Sequence, residues 1–379
     1  MMKNKDKLQA LYVHIPFCSK ICTYCDFYKM VAKPKNKIQY VDYLVKEIDL
    51  KKSLFNDIST VYIGGGTPSS LPHESLDKLL STLWENLDFK KVTEFTIEAN
   101  PNDINKEFIY LIKKHHINRV SLGVQSFNTQ KLKFLGRNHT AEDAINAIKL
   151  LQNSGIKNIN ADIIYATPED SFKVVKKDLK YLTKLKIPHI SAYSLILEDK
   201  TVLHYRYDKK LFTMLDEDRE FVIYKKLNRF LHNKGYHQYE ISNYSKPNME
   251  SKHNLVYWNN NHYLGIGAGA SYYIDNVRYT NIMNLEKYYR GIDEENLQLL
   301  EKKQLTFLEQ MQEEMILGLR KVSGVSISHF KKKFNKDIYS VFPIIRDLIN
   351  QQLLVNINDN IYIPKSKLYL SNTILVHFV

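Results

Sequence analysis

The sequence predicts an α/β protein, an incomplete (β/α)6 barrel followed by a C-terminal α+β module of the winged-helix type. A chain of 379 residues and 44.6 kDa exceeds one compact core, which favours a barrel with a second, smaller unit. Short apolar runs rich in β-branched and aromatic residues alternate with amphipathic helical patterns up to about residue 235. Beyond that point the alternation stops. We therefore expect two domains, at 1–235 and 236–379.

Six segments have the composition of β-strands, and their ranges are 11–15, 61–65, 94–99, 119–125, 159–165 and 189–195. Amphipathic helices are expected after them, at 38–52, 73–86, 104–115, 140–153, 170–184 and 216–234. The helix at 140–153 begins with Thr140 as N-cap, has Asp143 at its third position and ends before Gly155. Because each strand precedes a helix, the pattern predicts parallel βαβ units rather than an antiparallel meander.

The C-terminal region has a different composition. An aromatic and asparagine-rich stretch is followed by a helical pattern at 305–321 and by two more in SISHFKKKF and VFPIIRDLINQQLL. The segment VNINDNIYIP predicts a hairpin around Asn358-Asp359-Asn360. Helices followed by a hairpin are the reason for expecting a small winged-helix-like module.

Composition and charge exclude several classes of protein. Neither a run of about 18 apolar residues nor an apolar signal segment with a cleavage site is found, so we expect a cytoplasmic protein. The formal net charge is +13, but the lysines are spread over many predicted helices rather than gathered in one stripe. This spread favours a solvated basic surface and no nucleic-acid partner, and the alternatives are attraction to an anionic membrane or to an acidic ligand. The rival interpretation, a nucleic-acid binder, predicts affinity that falls steeply with salt.

All three cysteines of the chain, Cys18, Cys22 and Cys25, lie in HIPFCSKICTYCDF with the spacing C-x3-C-x2-C. An odd number argues against a disulfide framework and favours a metal or an iron–sulfur cluster, since thiolate is a soft ligand. A zinc site needs a fourth ligand, for which the nearby candidate is His14, within the strand and on the far side of Pro16. A [4Fe–4S] cluster held by three cysteines instead leaves one iron open for a ligand with an amine and a carboxylate.

The spacing of the cysteines after a strand, followed by the βα series, resembles the radical S-adenosylmethionine (SAM) superfamily. The segments YVHIPFCxxxCxYCDF, GGGTPS, SLGVQSF, LGRNH and HNLVYW resemble the HemN/HemW group, the oxygen-independent coproporphyrinogen III oxidases and their haem-chaperone relatives, over essentially the whole chain. The resemblance implies that a [4Fe–4S] cluster is bound by Cys18, Cys22 and Cys25. It implies contacts with SAM from Tyr12, Tyr24, Gly65, Gly66, Thr67, Glu98, Gln125, Arg137 and Asp162.

Two features of this resemblance favour the chaperone branch. Phe27 stands where the oxidase pattern has a fourth cysteine, and seventeen residues precede Cys18 where the oxidases have a long extension. A third, the HNxxYW signature, makes His253 the candidate haem ligand, since imidazole is a common axial ligand of haem iron. We therefore expect haem as a ligand, haem proteins (respiratory ones at the membrane included) as acceptors, no catalytic residue, and a monomer or a cluster-dependent dimer. The alternative function is coproporphyrinogen III oxidation.

Two glycine-related features complete the comparison with the group. ATPEDS at 166–171 stands where the group more usually has GLPGQ, so the loop after the fifth strand lacks both glycines. GIGAGA at 265–270 superficially resembles a dinucleotide fingerprint but lacks the βαβ setting and the acidic residue. We expect it to serve close backbone packing instead.

Overall fold

Parallel strands and the helices that follow them form the first part of the chain in a computed structural model, which describes residues 8–379. Residues 1–7 of the predicted N-terminal domain lie outside the described part. The strands are β1 (Ala10–Ile15), β2 (Thr60–Gly65), β3 (Glu94–Ala99), β4 (Arg119–Gln125), β5 (Asn158–Tyr165) and β6 (His189–Ser194). The helices are α1 (Pro34–Lys51), α2 (His73–Asn86), α3 (Lys106–Lys114), α4 (Thr129–Phe134), α5 (Ala141–Asn153), α6 (Phe172–Lys184), α7 (Val202–Asp208) and α8 (Glu217–Asn233).

The middle of the chain adds further strands to the same sheet. Its elements are β7 (His237–Gln238), β8 (Asn243–Ser245), α9 (Lys252–Trp258), β9 (Tyr263–Ile266), β10 (Ser271–Ile274), β11 (Val277–Asn281), α10 (Leu285–Asp293) and β12 (Leu299–Gln304). Twelve strands result, in the order β12-β11-β10-β9-β1-β2-β3-β4-β5-β6-β8-β7. Neighbouring strands from β9 through β1 to β6 are parallel, and the flanking strands are antiparallel. Within residues 8–379 the sheet stays open.

The last part of the chain forms a separate three-stranded sheet with helices. Its elements are α11 (Phe307–Gly318), β13 (Val325–Ser326), α12 (Ile327–Phe334), α13 (Ile338–Val341), α14 (Ile344–Asn350), β14 (Val355–Ile357), β15 (Asn360–Tyr362) and α15 (Ser371–Leu375). The strand order β13-β15-β14 includes the predicted hairpin, whose turn residues Asn358 and Asp359 both have positive φ. The predicted fold class, an incomplete barrel with a C-terminal α+β module, is confirmed.

The strands of the barrel alternate between apolar and polar side chains. Val120, Leu122 and Val124 of β4 are buried in the apolar core, whereas Arg119 and Ser121, on the other face of the strand, line a cavity. The same alternation occurs in β3 and β5. One face of the sheet therefore holds the helices, and the other face carries the polar groups of the site.

Helix α5 begins as the sequence predicts. The Thr140 hydroxyl accepts from the backbone N–H of Asp143 at 3.2 Å, and the Asp143 carboxylate accepts from the N–H of Thr140 at 2.7 Å. This reciprocal capping box satisfies two backbone donors at the helix start. The predicted helix at 38–52 begins earlier, at Pro34, because a proline fits the first turn of a helix, where its missing N–H is not needed.

The division of the chain at residue 235 stays a prediction. Strand β9 lies beyond that point, yet it pairs with β1 in register from Ala10↔Tyr263 to Val13↔Ile266. Residues on both sides of the predicted boundary therefore share one sheet. No helix among residues 8–379 has the length and apolar character needed to cross a membrane.

Candidate functional site

A cavity of about 440 Å³ opens at the carboxyl ends of the parallel strands. All three cysteines and eight of the nine predicted SAM contacts line it: Cys18, Cys22, Cys25, Tyr24, Gly65, Gly66, Thr67, Glu98, Gln125, Arg137 and Asp162. The structure therefore brings together residues that span more than 140 positions of the sequence. A volume of this size is typical of a small-molecule site.

The cysteine loop is tied to the barrel by backbone hydrogen bonds. The Cys18 N–H donates to the Met30 carbonyl at 2.9 Å, and the N–H of Met30 donates to Pro16 at 2.7 Å. Further along, the Thr23 N–H donates to Leu135 at 3.2 Å, and the Thr23 carbonyl accepts from Leu203 at 2.8 Å. Anchors on both sides of the loop thus place the three sulfur atoms on one wall of the cavity.

The thiols suit metal binding through their chemistry. Burial raises the pKa of Cys18 above its usual value and that of Cys25 to about 11, so a bound metal would have to displace their protons. Among residues 8–379, no three His, Cys, Asp or Glu side chains converge on a point that one ion could occupy. A [4Fe–4S] cluster does not need three ligands that converge on one point, because each thiolate ligates a different iron. The donor set therefore fits a [4Fe–4S] cluster.

His14 is occupied elsewhere. Its Nε2 lies 2.9 Å from the Tyr28 carbonyl, so this nitrogen must donate, and Nδ1 then accepts from the Tyr12 hydroxyl at 2.9 Å. Burial lowers the pKa of His14 to about 4, which keeps the ring neutral. Both nitrogens are used, so neither is free to complete a zinc site. Tyr12, whose hydroxyl makes this hydrogen bond to His14, is not among the residues that line the cavity.

The glycine segment after β2 lies directly against the cysteine loop. The N–H of Gly66 donates to the Ile15 carbonyl at 2.8 Å, and that of Thr67 donates to Phe17 at 2.7 Å. A Cβ on Gly66 would lie 2.7 Å from the Phe17 oxygen, and Gly65 has φ +112. Since neither position tolerates a side chain without movement, the glycines allow the two loops to approach.

Arg137 and Thr67 direct polar hydrogens at the thiols. Nη1 of Arg137 donates to the Cys22 sulfur at 3.2 Å, and Nη2 donates to the Gly123 carbonyl at 2.7 Å. The Thr67 hydroxyl donates to the Cys18 sulfur at 3.6 Å. Both residues are therefore neighbours of the proposed cluster as well as predicted cofactor contacts.

Two carboxyl groups and one guanidinium lie deep in the cavity. Glu98 accepts from the Tyr62 hydroxyl at 2.7 Å and from the Gly65 N–H at 3.1 Å, yet burial raises its pKa to about 7. Burial also raises the pKa of Asp162, which accepts from Asn160 at 2.8 Å. Arg119 lowers both values by its charge, and its buried Nε has no hydrogen-bond partner among the described residues. The inner cavity therefore offers a polar ligand both carboxyl groups and a guanidinium donor.

Gln125 ends β4 in a conformation unusual for its residue type. It has φ +60, and the pairing of β4 with β5 shifts register between Leu122 and Gln125. Such left-handed backbone in a residue other than glycine costs on the order of 1 kcal/mol and tends to occur at functional sites. The irregularity places Gln125 in the wall of the cavity.

The loop after β5 lacks glycine but adopts a glycine-like turn. Ala166 has φ +61, and Asp170 accepts from the N–H of Thr167 at 3.1 Å. Asp170 also forms a buried ion pair with Lys131 at 2.7 Å. By bonding to both Thr167 and Lys131, Asp170 stabilises the turn of segment 166–171, which lacks the glycines that the group usually has there.

His253 lies outside the cavity lining, in helix α9. Its side chain is buried, with Nδ1 3.0 Å from the Thr60 hydroxyl and Nε2 2.7 Å from the Tyr257 hydroxyl. Burial lowers the pKa of His253 to about 3. Its neighbour Asn254 does line the cavity. Ligation of haem by His253 would thus require one of the two hydrogen bonds to break.

Exposed apolar side chains surround the entrance of the cavity. They are Ile21, Phe27, Tyr193 and Ile196, and each also lines the cavity. Phe27 is 64% exposed. An exposed apolar rim on a polar cavity provides a surface for a flat, apolar ligand face.

Several cavity residues were missed by sequence reasoning. They are Tyr62, Arg119, Ser121, Asn160, Ser191 and Tyr193. The signal that identifies most of them is the two-residue period of each strand: in β4, residues 119, 121, 123 and 125 all face the cavity. The GIGAGA segment, by contrast, provides close packing as expected, since a Cβ on Gly267 would lie 2.7 Å from the His14 carbonyl.

Comparison with known proteins relates this arrangement to characterised sequences and folds. Residues 12–182 match the Radical SAM superfamily, and residues 305–366 match the HemN C-terminal domain. The chain is 40% identical over 377 residues to a protein of Lactococcus lactis named heme chaperone HemW, with 98% of each chain covered. It is 35% identical over 376 residues to the heme chaperone HemW of Bacillus subtilis, with 98% of this chain and 99% of the relative covered.

Among solved structures, coproporphyrinogen III oxidase HemN from Escherichia coli, described as a radical SAM enzyme, is similar to this chain. It has a TM-score of 0.84 at 22% identity, and the match covers 98% of this chain and 90% of the oxidase. At this identity the likeness concerns the fold.

Proposed function

The chain belongs to the HemW family of radical SAM proteins, and from this premise we propose that it is a haem chaperone. It binds haem, a [4Fe–4S] cluster and SAM, and it transfers haem to acceptor haem proteins, including acceptors at the membrane. The observation that carries the proposal is the 40% identity, over 98% of both chains, to a relative named heme chaperone HemW.

The proposed cluster ligands are Cys18, Cys22 and Cys25. Their support is the cavity wall they share and the chemistry of thiolates, which prefer iron and other soft metals. When bound, the cluster supplies one iron without a protein ligand, to which the amine and carboxylate of SAM would bind. The protein residues hold that ligand in place and exclude water around it.

The proposed SAM contacts are the eight residues Tyr24, Gly65, Gly66, Thr67, Glu98, Gln125, Arg137 and Asp162. All eight line one cavity, which is the support for a shared ligand. Glu98 and Asp162 are suited to the cationic and hydroxyl groups of SAM, since carboxylates accept charge-assisted hydrogen bonds. Tyr12, the ninth residue that the resemblance implies, is not among the residues that line the cavity, and its hydroxyl bonds to Nδ1 of His14.

The proposed haem contacts are of two kinds. The apolar rim of Ile21, Phe27, Tyr193 and Ile196 is suited to one face of a porphyrin. His253 is the proposed axial ligand, at the cost of a hydrogen bond to Thr60 or Tyr257. We also propose that the protein is a monomer, or a dimer that forms when the cluster is present.

The experiment that tests the function begins with anaerobic reconstitution of the cluster. Haem is then titrated into the protein, followed by a haem-free acceptor, and coproporphyrinogen III is offered with SAM and a reductant in a parallel assay. We expect a saturable haem spectrum that passes to the acceptor, and no consumption of coproporphyrinogen. Consumption at enzymatic rates would establish the alternative function, the oxidase, and remove the chaperone proposal.

A triple substitution of Cys18, Cys22 and Cys25 by alanine tests the cluster ligands. The variant should contain no iron–sulfur absorption after reconstitution. Iron and sulfide in stoichiometric amounts would contradict the ligand assignment.

A further inference from the structure

We infer that Asn100 is a positioning residue that directs the side chains of Thr67 and Arg137 at the sulfur atoms of Cys18 and Cys22. The inference rests on the proposed cluster function. Asn100 follows β3 and lines the cavity.

The contacts form one continuous chain between two thiols. Nδ2 of Asn100 donates to the Thr67 hydroxyl at 3.2 Å, and that hydroxyl donates to the Cys18 sulfur at 3.6 Å. On its other side, Oδ1 of Asn100 accepts from Nη2 of Arg137 at 2.6 Å, while Nη1 of the same guanidinium donates to the Cys22 sulfur at 3.2 Å. A single amide therefore joins both sulfur-directed donors.

The orientation of the amide follows from the chemistry of its neighbours. A guanidinium has donors and no acceptor, so the Asn100 atom that faces Arg137 must be the carbonyl oxygen. The amide nitrogen then faces Thr67 and donates to its hydroxyl. Because a hydroxyl has one proton, a hydroxyl that accepts from Asn100 is left to donate to the Cys18 sulfur.

The side chain of Asn100 has no competing local role. The residue precedes the short 3-10 turn Pro101–Asp103 at a position where asparagine often caps, yet its side chain makes no capping bond there. The backbone N–H of Asn100 donates instead to the Ser69 hydroxyl at 3.2 Å, which fixes the main chain. The side chain is therefore committed to the two donors.

Hydrogen bonds to ligand sulfurs influence the reduction potential of an iron–sulfur cluster. Reduction adds one electron, whose negative charge spreads onto the sulfur atoms, and donors aimed at those atoms stabilise the reduced state. Loss of the alignment should therefore make the cluster harder to reduce. Asn100 would act on the cluster through Thr67 and Arg137, without contacting iron.

The test compares Asn100→Ala with the wild-type protein after reconstitution, in the absence of SAM. The midpoint potential of the cluster is measured by a reductive titration followed by electron paramagnetic resonance. We expect a more negative potential in the variant, with iron and sulfide contents like those of the wild type. The matched control is Asn118→Ala, because the Asn118 amide also accepts one hydrogen bond, from the Phe95 N–H at 2.9 Å, and donates one, to the Thr93 carbonyl at 3.3 Å, but lies outside the cavity lining. Its potential should equal that of the wild type.

A double-substitution cycle separates positioning from a general effect. In a Thr67→Val background one of the two donors is already absent, so Asn100→Ala should shift the potential less than it does in the wild type. Asn100→Leu, which adds no charge, is close in size to asparagine and removes both hydrogen bonds, provides a second variant if the alanine variant does not fold. An unchanged potential in the folded variant, or an equal shift in both backgrounds, would overturn the inference.

These outcomes are distinct from a failure of the proposed function. If the wild-type protein binds no cluster, the proposed function fails and no potential can be compared. If the wild type binds a cluster whose potential is indifferent to Asn100, the function stands and the positioning role is wrong.

Discussion

Glu98 has a carboxyl group whose protonation changes near neutral pH. Burial raises its pKa to about 7, the nearby Asp162 adds to the rise, and Tyr62, Gly65 and Arg119 oppose it. Below pH 7 the group is neutral, and above pH 7 it is an anion. A cationic ligand such as SAM should therefore bind more tightly as pH rises through 7.

The corresponding prediction concerns the affinity for SAM between pH 6 and pH 8. The wild type should gain several-fold in affinity over this range, and Glu98→Gln should remove that dependence. The variant should also bind about 10-fold more weakly at pH 8, since hydrogen bonds to charged groups contribute about 1.5–3 kcal/mol. Equilibrium binding at several pH values measures both effects. Glu107→Gln, on an exposed position of α3, should behave as the wild type, and a flat wild-type profile would contradict the role of Glu98.

His253 allows a second test at the scale of one side chain. Replacement by alanine should weaken haem binding or alter its absorption spectrum while the iron–sulfur spectrum stays intact. It should also lower the free energy of unfolding by about 2 kcal/mol, because Thr60 and Tyr257 lose their partner in a buried site. Haem titration and thermal unfolding separate the two effects.

Addition of imidazole serves as the control for His253→Ala, since it can fill the space left by the ring. If it restores the haem spectrum, the imidazole group itself is required. A haem titration unchanged by the substitution would show that another residue is the ligand. His204→Ala provides a comparison, because that histidine is partly exposed and does not line the cavity. This substitution should leave the haem spectrum unchanged.

Single elements were predicted well where local chemistry decides them. Strands β3 and β4 and helix α2 have the predicted bounds, because each has a clear hydrophobic period and is bounded by turn or capping residues. The short helices α4, α7 and α9 were not predicted. Each has six or seven residues, too few to show a helical period, and each depends on contacts such as the bond between Leu203 and Thr23.

The capping box of α5 leads to a prediction for an element. Thr140→Ala should lower the free energy of unfolding by about 1 kcal/mol, because the N–H of Asp143 loses its acceptor. Chemical denaturation measures the change. Thr82→Ala is the matched control, since the Thr82 hydroxyl in α2 bonds only the carbonyl of Lys78 one turn earlier. It should be neutral or slightly stabilising. Equal losses in both variants would contradict a specific capping effect.

The same box predicts a dependence on acid. Hydrogen bonds from the N–H and hydroxyl of Thr140 hold the pKa of Asp143 below its usual value. The unfolded chain therefore binds a proton more readily, and the contribution of the box should be lost as pH falls through the lowered pKa. Above the usual pKa of aspartate it should be fully present.

At the scale of the whole molecule, β9 makes β1 an interior strand. Strand β1 leads into the cysteine loop. Without β9, one edge of β1 would have no neighbouring strand. A variant that ends after residue 304 keeps the twelve-stranded sheet, whereas one that ends after residue 235 loses β7 to β12. The first should stay soluble and bind the cluster to a greater extent than the second.

Size-exclusion chromatography, circular dichroism and iron content compare the two truncated variants. Equal folding and cluster content would support a domain boundary at residue 235. Loss of folding in the shorter variant alone would place the boundary after β12.

Local patterns determined much of this protein. The period of the strands, the capping residues and the spacing of Cys18, Cys22 and Cys25 depend on neighbours within a few positions, and they were sufficient for the fold class and the family. Tertiary structure alone decided which polar groups meet across the barrel. The chain of contacts through Asn100 joins residues 18, 22, 67, 100 and 137, and the ring of His253 in α9 bonds to Thr60 of β2. Such pairs are separated by tens of residues in the sequence. The loops that carry residues 18, 22, 67 and 100 meet because parallel strands end at one edge of the sheet, and only the folded chain brings these side chains within hydrogen-bonding distance.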